Sequence, residues 1–145
     1  MLAGLLALIA AAVFFGAAFY VGAVEHPARM TLDDRAGLSQ WQPAYKRGVL
    51  MQAPLAIAGF LLGLAAWWQT ANILWLIGAV VLIANWPYTL IAIMPVNKAL
   101  TALPPKNAGP HSRTLLDRWA MLHAGRTVLG SAATVFFLLA AYAGL

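Results

Sequence analysis

Cysteine is absent from this chain of 145 residues, which excludes disulfides, thiolate metal sites and thiol redox chemistry. Charge is nearly absent as well. Only 9% of the residues are charged and 63% are hydrophobic, whereas a soluble domain carries about 25% charged residues. The composition is therefore that of a membrane protein. Acidic residues are scarcest: four Asp and Glu stand against nine Lys and Arg, for a net charge of +5. In a soluble chain that surplus would suggest nucleic acid, but membrane proteins gather Lys and Arg in cytoplasmic loops. No nucleic-acid partner is expected. There is also no internal repeat and no linker, so a single domain over residues 1–145 is expected.

What the chain has instead is four uncharged runs. Residues 2–24 lack both the basic start and the short apolar core, of about 7–15 residues, that mark a signal peptide. They read as a retained transmembrane helix. Pro27 is expected to end that helix at His26, leaving Glu25 and His26 at its mouth. Residues 30–45, with Asp33, Asp34, Arg35 and Pro43, read as a polar loop one, closed by Lys46 and Arg47. The second uncharged run carries Gly59 and Gly63, a small-residue pair that lets a neighbouring helix approach closely. Trp67, Trp68 and Trp75 bracket a turn at 69–72 and are expected to form an interfacial belt. Pro54 and Pro87 lie equally far from that turn along two antiparallel arms, so paired kinks are expected to open a cavity between them. Residues 99–111 form a further polar loop, after which Ser112 is a candidate N-cap.

The spans fall at about 2–26, 46–68, 73–96 and 113–143, an all-α, up-down, integral membrane four-helix bundle. At 1.5 Å per residue the fourth helix is roughly 48 Å long, more than the ~30 Å hydrocarbon core, so its first turns must project from the lipid. Arg29, Arg35, Lys46 and Arg47 lie in loop one, and Lys98, Lys106, Arg113 and Arg118 lie in or beside loop three, the polar stretch at 99–111. Those loops are expected in the cytoplasm, with the 69–72 turn and both termini outside, in a bacterial inner membrane. Glu25, His26, Gln52, Asn97, Trp119, His123 and Arg126 then meet at one face of the bilayer.

Trp119, His123, Arg126, Thr127, Gly130 and Thr134 share one helical face. Ionisable residues at the start of a membrane span are costly unless they face a protein interior or a wet cavity, so they read as a functional site. Two histidines and a carboxylate, His26, His123 and Glu25, match the ligand set of many non-haem iron centres, and imidazole also suits copper and zinc. A His pair across two helices could equally hold a haem. Iron, copper, haem or no cofactor at all stay open. The structural alternative is an ion pair between Glu25 and Arg126, with Trp119 in packing and Gln52, Asn85 and Thr89 in hydrogen bonds between helices.

The motifs Glu25-His26-Pro27-Ala28-Arg29, Met51-Gln52-Ala53, Asn85-Trp86-Pro87-Tyr88-Thr89, Met94-Pro95-Val96-Asn97-Lys98 and Arg118-Trp119 through His123 to Arg126-Thr127 resemble the anthrone oxygenase-like family of small four-span membrane proteins. The resemblance preserves the order of these blocks over most of the chain. It implies a four-helix membrane fold and, as in the polyketide-pathway members, oxidation of a lipophilic anthrone to a quinone by molecular oxygen. On that reading the phenolic substrate stacks near Trp119, with Gln52 and Tyr88 lining its site. His123 or Glu25 removes a proton, and Arg126 and Asn97 hold the oxyanion. The expected partners are bilayer lipid and a lipophilic small molecule, with a homo-oligomer open on chain length. A non-catalytic membrane module that binds a lipid, a quinone or a partner subunit is the alternative.

Overall fold

Helices α1 (Leu2–Met30), α2 (Asp34–Thr70), α3 (Ile73–Ala102) and α4 (Pro110–Tyr142) make up the structure, a computed structural model that describes residues 1–144. All four are long and apolar enough to cross a membrane, as an integral membrane protein requires, and no strand occurs among the described residues. They pack in a ring: α1 lies against α2 and α4, and α3 lies against the same two, so α1 and α3 stand at opposite corners.

Small residues set the spacing of the ring. A Cβ added at Gly59 would fall 2.4 Å from Leu82, one at Gly63 would fall 2.9 Å from both Ala79 and Phe137, and one at Gly4 would fall 2.5 Å from Trp75. The expected close approach at Gly59 and Gly63 therefore holds, because bare backbone lets large side chains of the neighbouring helices close in. Trp75 is thereby buried among α1 and α4 side chains rather than placed in an interfacial belt, whereas Trp68 is 84% exposed. The α2–α3 turn closes on Ala71 in the left-handed region (φ 54°), and the Asn72 side chain caps α3 by accepting from Leu74 N–H at 3.0 Å.

Loop one is much shorter than the composition suggests. Asp33 caps α2 by accepting from Ala36 N–H at 2.8 Å, and the helix then runs unbroken through Pro43 and Pro54 to Thr70. The polar residues 34–47 are thus the first turns of a long helix. At 37 residues and 1.5 Å per residue α2 spans roughly 55 Å, more than a ~30 Å hydrocarbon core. Its first turns, like those of α4, extend beyond the apolar bundle. Gly109 rather than Ser112 is the N-cap of α4; Ser112 supports it from the third helical position, accepting from Gly109 N–H at 3.0 Å and donating to its carbonyl at 2.8 Å.

Two separate cores result. Ala7, Ala11, Phe14, Ala56, Trp75, Ala79, Leu82 and Phe137 form one within the apolar bundle. Leu38, Trp41, Ile93, Val96, Leu100, Leu116 and Trp119 form the other, where the extended ends of α2 and α4 meet α3. Arg113 ties this second region together. It donates to Asp34 at 2.6 Å and to the carbonyls of Met30 and Leu32 at 3.1 and 2.7 Å, so α4 holds the 31–33 connection in place. Arg113→Ala is expected to lower unfolding stability by about 1–2 kcal/mol, the scale of charge-assisted hydrogen bonds at a half-exposed site. Faster proteolysis at residues 31–33 checks it; wild-type resistance would show that the contact holds nothing.

Candidate functional site

Proline shapes the site. Pro27 does not end α1; the helix continues to Met30 because the turn before it widens. Proline lacks an N–H and its ring clashes with the carbonyl four residues back, and a π-turn relieves both by shifting the ladder to i→i+5. Val21–Glu25 is such a turn, with His26 N–H bonded to the Val21 carbonyl. Thr89–Ile93 repeats the device ahead of Pro95, with Met94 N–H bonded to the Thr89 carbonyl. The two widened turns sit on opposite corners of the ring, and both face the same interior space. The residues two before and two after each proline, Glu25 and Arg29 on α1 and Ile93 and Asn97 on α3, line one cavity.

That cavity, of about 50 Å³ and open on one side, is also lined by Trp41, Tyr45, Gln52, Trp119, His123 and Arg126. The inward polar stripe of α4 is therefore as expected: Trp119 and His123 are both 5% exposed. Glu25, Gln52, Asn97, Trp119, His123 and Arg126 are brought together. His26 and Tyr88 are not among the lining residues. His26 is buried behind Trp119, its ring 6.3 Å away, with Nε2 3.7 Å from Asp117. Tyr88 donates to the Leu122 carbonyl at 2.7 Å and packs against Gly125.

The expected Glu25–Arg126 ion pair does not form. Glu25 accepts from Arg29 at 2.5 Å, one helical turn away, and from Gln40 at 3.1 Å, and Gln40 also accepts from Arg29 Nε. Glu25 is thereby held in a local triangle. Arg126 has only neutral partners: Nη2 donates to Gln52 at 2.8 Å, Nη1 donates to Thr89 at 3.0 Å, and the guanidinium stands 5.3 Å from the Phe14 ring centroid. Its Nε has no partner at all. The cavity wall thus holds two guanidinium groups and one carboxylate, an excess of positive charge in an apolar setting.

The ligand set Glu25, His26 and His123 does not gather either. Glu25 turns to Arg29, His26 to Asp117 and His123 to the Ala18 carbonyl, and no group of three His, Cys, Asp or Glu residues lies at metal-binding spacing among the described residues. This donor arrangement does not fit a two-His-one-carboxylate centre. His123 carries the clearer chemistry. Its Nε2 lies 3.3 Å from the Ala18 carbonyl, and a carbonyl only accepts, so the contact assigns the proton to Nε2 and leaves Nδ1 as the base. The His123 ring stacks on Trp119 at 4.8 Å, and Arg29 stands 5.7 Å from the Trp119 ring centroid. Trp119 is therefore already flanked by protein groups and offers a substrate its edge rather than an open face.

Unpaired polar atoms concentrate here. Buried atoms without a hydrogen-bond partner occur on His26, Arg29, Trp41, Asn85, Asn97 and Arg126; Arg29, Trp41, Asn97 and Arg126 all line this cavity. Such groups take their hydrogen bonds from water or from a ligand placed among them. Trp41, Tyr45 and Arg29 escape a reading of the sequence. Trp41 and Tyr45 stack at 4.8 Å and nearly parallel, 4° apart, and with Val49 and Gln52 they line the cavity at i, i+4, i+8 and i+11. That periodicity is hidden once Pro43 is taken as a sign of a loop.

The fold and cavity define a class: a small helical membrane protein with a largely apolar cavity, bearing a few charged and polar side chains, beneath an aromatic cap. Residues 41–136 match the model of the anthrone oxygenase family, and the chain belongs to that family. The match takes in Gln52, Tyr88, Asn97, Trp119, His123 and Arg126, and leaves Glu25, His26 and Arg29 outside it. No curated protein and no solved structure matches the chain.

Proposed function

We propose that this protein is an oxygenase that converts a lipophilic, anthrone-like aromatic to the corresponding quinone with molecular oxygen. The observation that carries the reading is the cavity in which His123 faces a guanidinium without a counter-ion and several buried polar atoms without partners. His123 Nδ1 takes a proton from the ring CH₂ opposite the carbonyl, and the electron pair is delocalised across the ring system onto the oxygen as the aromatic enolate. Arg126 Nε and the Asn97 amide Nδ2 donate to that oxyanion, more strongly in a site with little water than in solution. The electron-rich carbon is oxidised by oxygen: a C–O bond forms, oxygen is reduced to the peroxide level, and His123 returns its proton to the outer oxygen. Loss of the second hydrogen from the same carbon then breaks the O–O bond, leaving a C=O group and one water. One substrate and one O₂ give one quinone and one H₂O. Glu25, fixed by Arg29 and Gln40, orients the wall rather than acting as the base.

Support for a membrane setting comes from the four apolar helices and from the clustering of Lys and Arg at one end of the bundle. The chain forms one domain in a bacterial inner membrane, with the extended ends of α2 and α4 in the cytoplasm and both termini opposite. Purified protein with anthrone is expected to consume one O₂ per quinone formed, read by an oxygen electrode together with quinone absorbance. Protein that binds anthrone but leaves its oxidation at the rate of protein-free detergent would overturn the oxygenase reading in favour of a non-catalytic binding module.

A further inference from the structure

A second cavity, of about 120 Å³, open on one side and lined mainly by α2 and α3, shares Tyr45, Val49, Gln52 and Arg126 with the first. Those residues form a common wall. The surface outside that wall is largely apolar, and Val49, Trp86 and Leu90 on it are exposed on a bundle whose surroundings are lipid. From Tyr45 to Ala56 on α2 and from Met94 back to Asn85 on α3, the lining follows the helices for roughly 14–16 Å at 1.5 Å per residue. This groove is thus as deep as one leaflet, half of a ~30 Å hydrocarbon core.

Two lysines stand at the end of the groove far from the Ala71–Asn72 turn. Lys46 shares a helical face with Val49 and Ala53, and Lys98 lies one turn beyond Met94, so each sits on the rim that its own helix contributes. Both are exposed. Each is roughly 38 Å along its helix from the turn, past the hydrocarbon core and within the headgroup layer of a bilayer about 40–45 Å thick. No acidic side chain is left to neutralise them. The chain has four Asp and Glu, and all are engaged elsewhere: Glu25 with Arg29, Asp34 with Arg113, Asp117 beside His26, and Asp33 as the cap of α2.

We propose that this groove is a site for one anionic phospholipid, its phosphate between Lys46 and Lys98 and an acyl chain along Val49, Ala53, Leu90 and Met94. Charge complementarity selects the headgroup, and the apolar groove parallel to the helices selects a lipid over a free phosphate. The chain covers the outer side of the wall that carries Gln52 and Arg126, and it leaves the first cavity and His123 free. The inference goes beyond the oxygenase reading and does not depend on it.

Native mass spectrometry of the intact protein released from detergent tests this, with occupancy by a first lipid as the readout. The probes are phosphatidylglycerol and phosphatidylcholine with the same oleoyl chains. Wild type is expected to reach half-occupancy at a phosphatidylglycerol concentration at least tenfold lower, since one basic residue near an anionic surface is worth about fivefold. Lys46→Ala with Lys98→Ala is expected to abolish that preference, and Lys46→Arg with Lys98→Arg is expected to keep it. Arg35→Ala with Lys106→Ala removes the same charge from exposed positions away from the groove and is expected to leave the preference within twofold of wild type. Met94→Trp and Ala53→Phe, which fill the groove from α3 and α2, are expected to weaken both lipids at least fivefold. Glycerophosphoglycerol, the headgroup without chains, is expected not to displace the lipid at hundredfold excess. Equal wild-type affinity for the two lipids overturns the anionic site, whatever the variants do. An equal loss in the two double-alanine variants overturns it as well, because attraction to net charge then suffices. Displacement by glycerophosphoglycerol, or wild-type affinity in either groove-filling variant, overturns the seat of the chain.

Discussion

Replacing His123 by alanine is expected to lower anthrone oxidation by about 10²–10⁴-fold, the usual contribution of a positioned general base. The ring is 5% exposed, stacked on Trp119 and tied through Nε2 to the Ala18 carbonyl. Those contacts also give it a packing role, so loss of activity in His123→Ala by itself is ambiguous. His123→Gln separates the two. A glutamine amide can still donate to Ala18 and fill much of the ring's volume, but it is not a base. Thermal stability is expected to recover in His123→Gln while turnover stays within a few-fold of His123→Ala. If glutamine restores oxidation to the wild-type rate, His123 is a packing residue and the base lies elsewhere.

The largest effect on folding is expected at Gly78. A Cβ there would meet Phe137 at 2.5 and 2.6 Å and Phe136 Cβ at 3.3 Å, and Phe137 is completely buried between Trp75 and the α2 backbone at Gly63. The ring has nowhere to go. Overpacking of this kind costs about 1–3 kcal/mol, and Gly78→Ala is expected to lower unfolding stability by that amount, read as a lower thermal midpoint. Gly16→Ala is the control, because nothing lies within 4 Å of the added atom. Gly78→Ala combined with Phe137→Leu is expected to recover part of the loss, since the shorter side chain vacates the space. Equal midpoints for Gly78→Ala and Gly16→Ala would mean that α3 and α4 do not pack at the distance described here.

Much of this was written plainly in the residues. Four uncharged runs, an excess of Lys and Arg in two places and a polar stripe on one face of the last helix follow from composition and spacing. The inward direction of Trp119 and His123 follows because desolvated polar groups must find partners in the protein. The i,i+4 spacing of Glu25 and Arg29 equally favours their pairing, and it is this local cation rather than the more distant Arg126 that Glu25 meets. Helix boundaries were harder. Pro27 and Pro43 both read as breaks, yet a π-turn absorbs the first and Asp33 starts a helix that runs on through the second.

The sequence by itself determined that this chain is a four-span helical membrane protein of the anthrone oxygenase family, with its ionisable groups at one end. Periodicity and charge are local properties, and they are sufficient for that. Only the tertiary structure decided which polar groups meet: Glu25 with Arg29, Arg126 with Gln52 and Thr89, and His26 away from His123. It also placed a second, apolar cavity beside the first. Those pairings depend on small rotations of the helices at two π-turns and on how closely glycine lets their neighbours approach, and such rotations are set by packing across the ring rather than by any one segment.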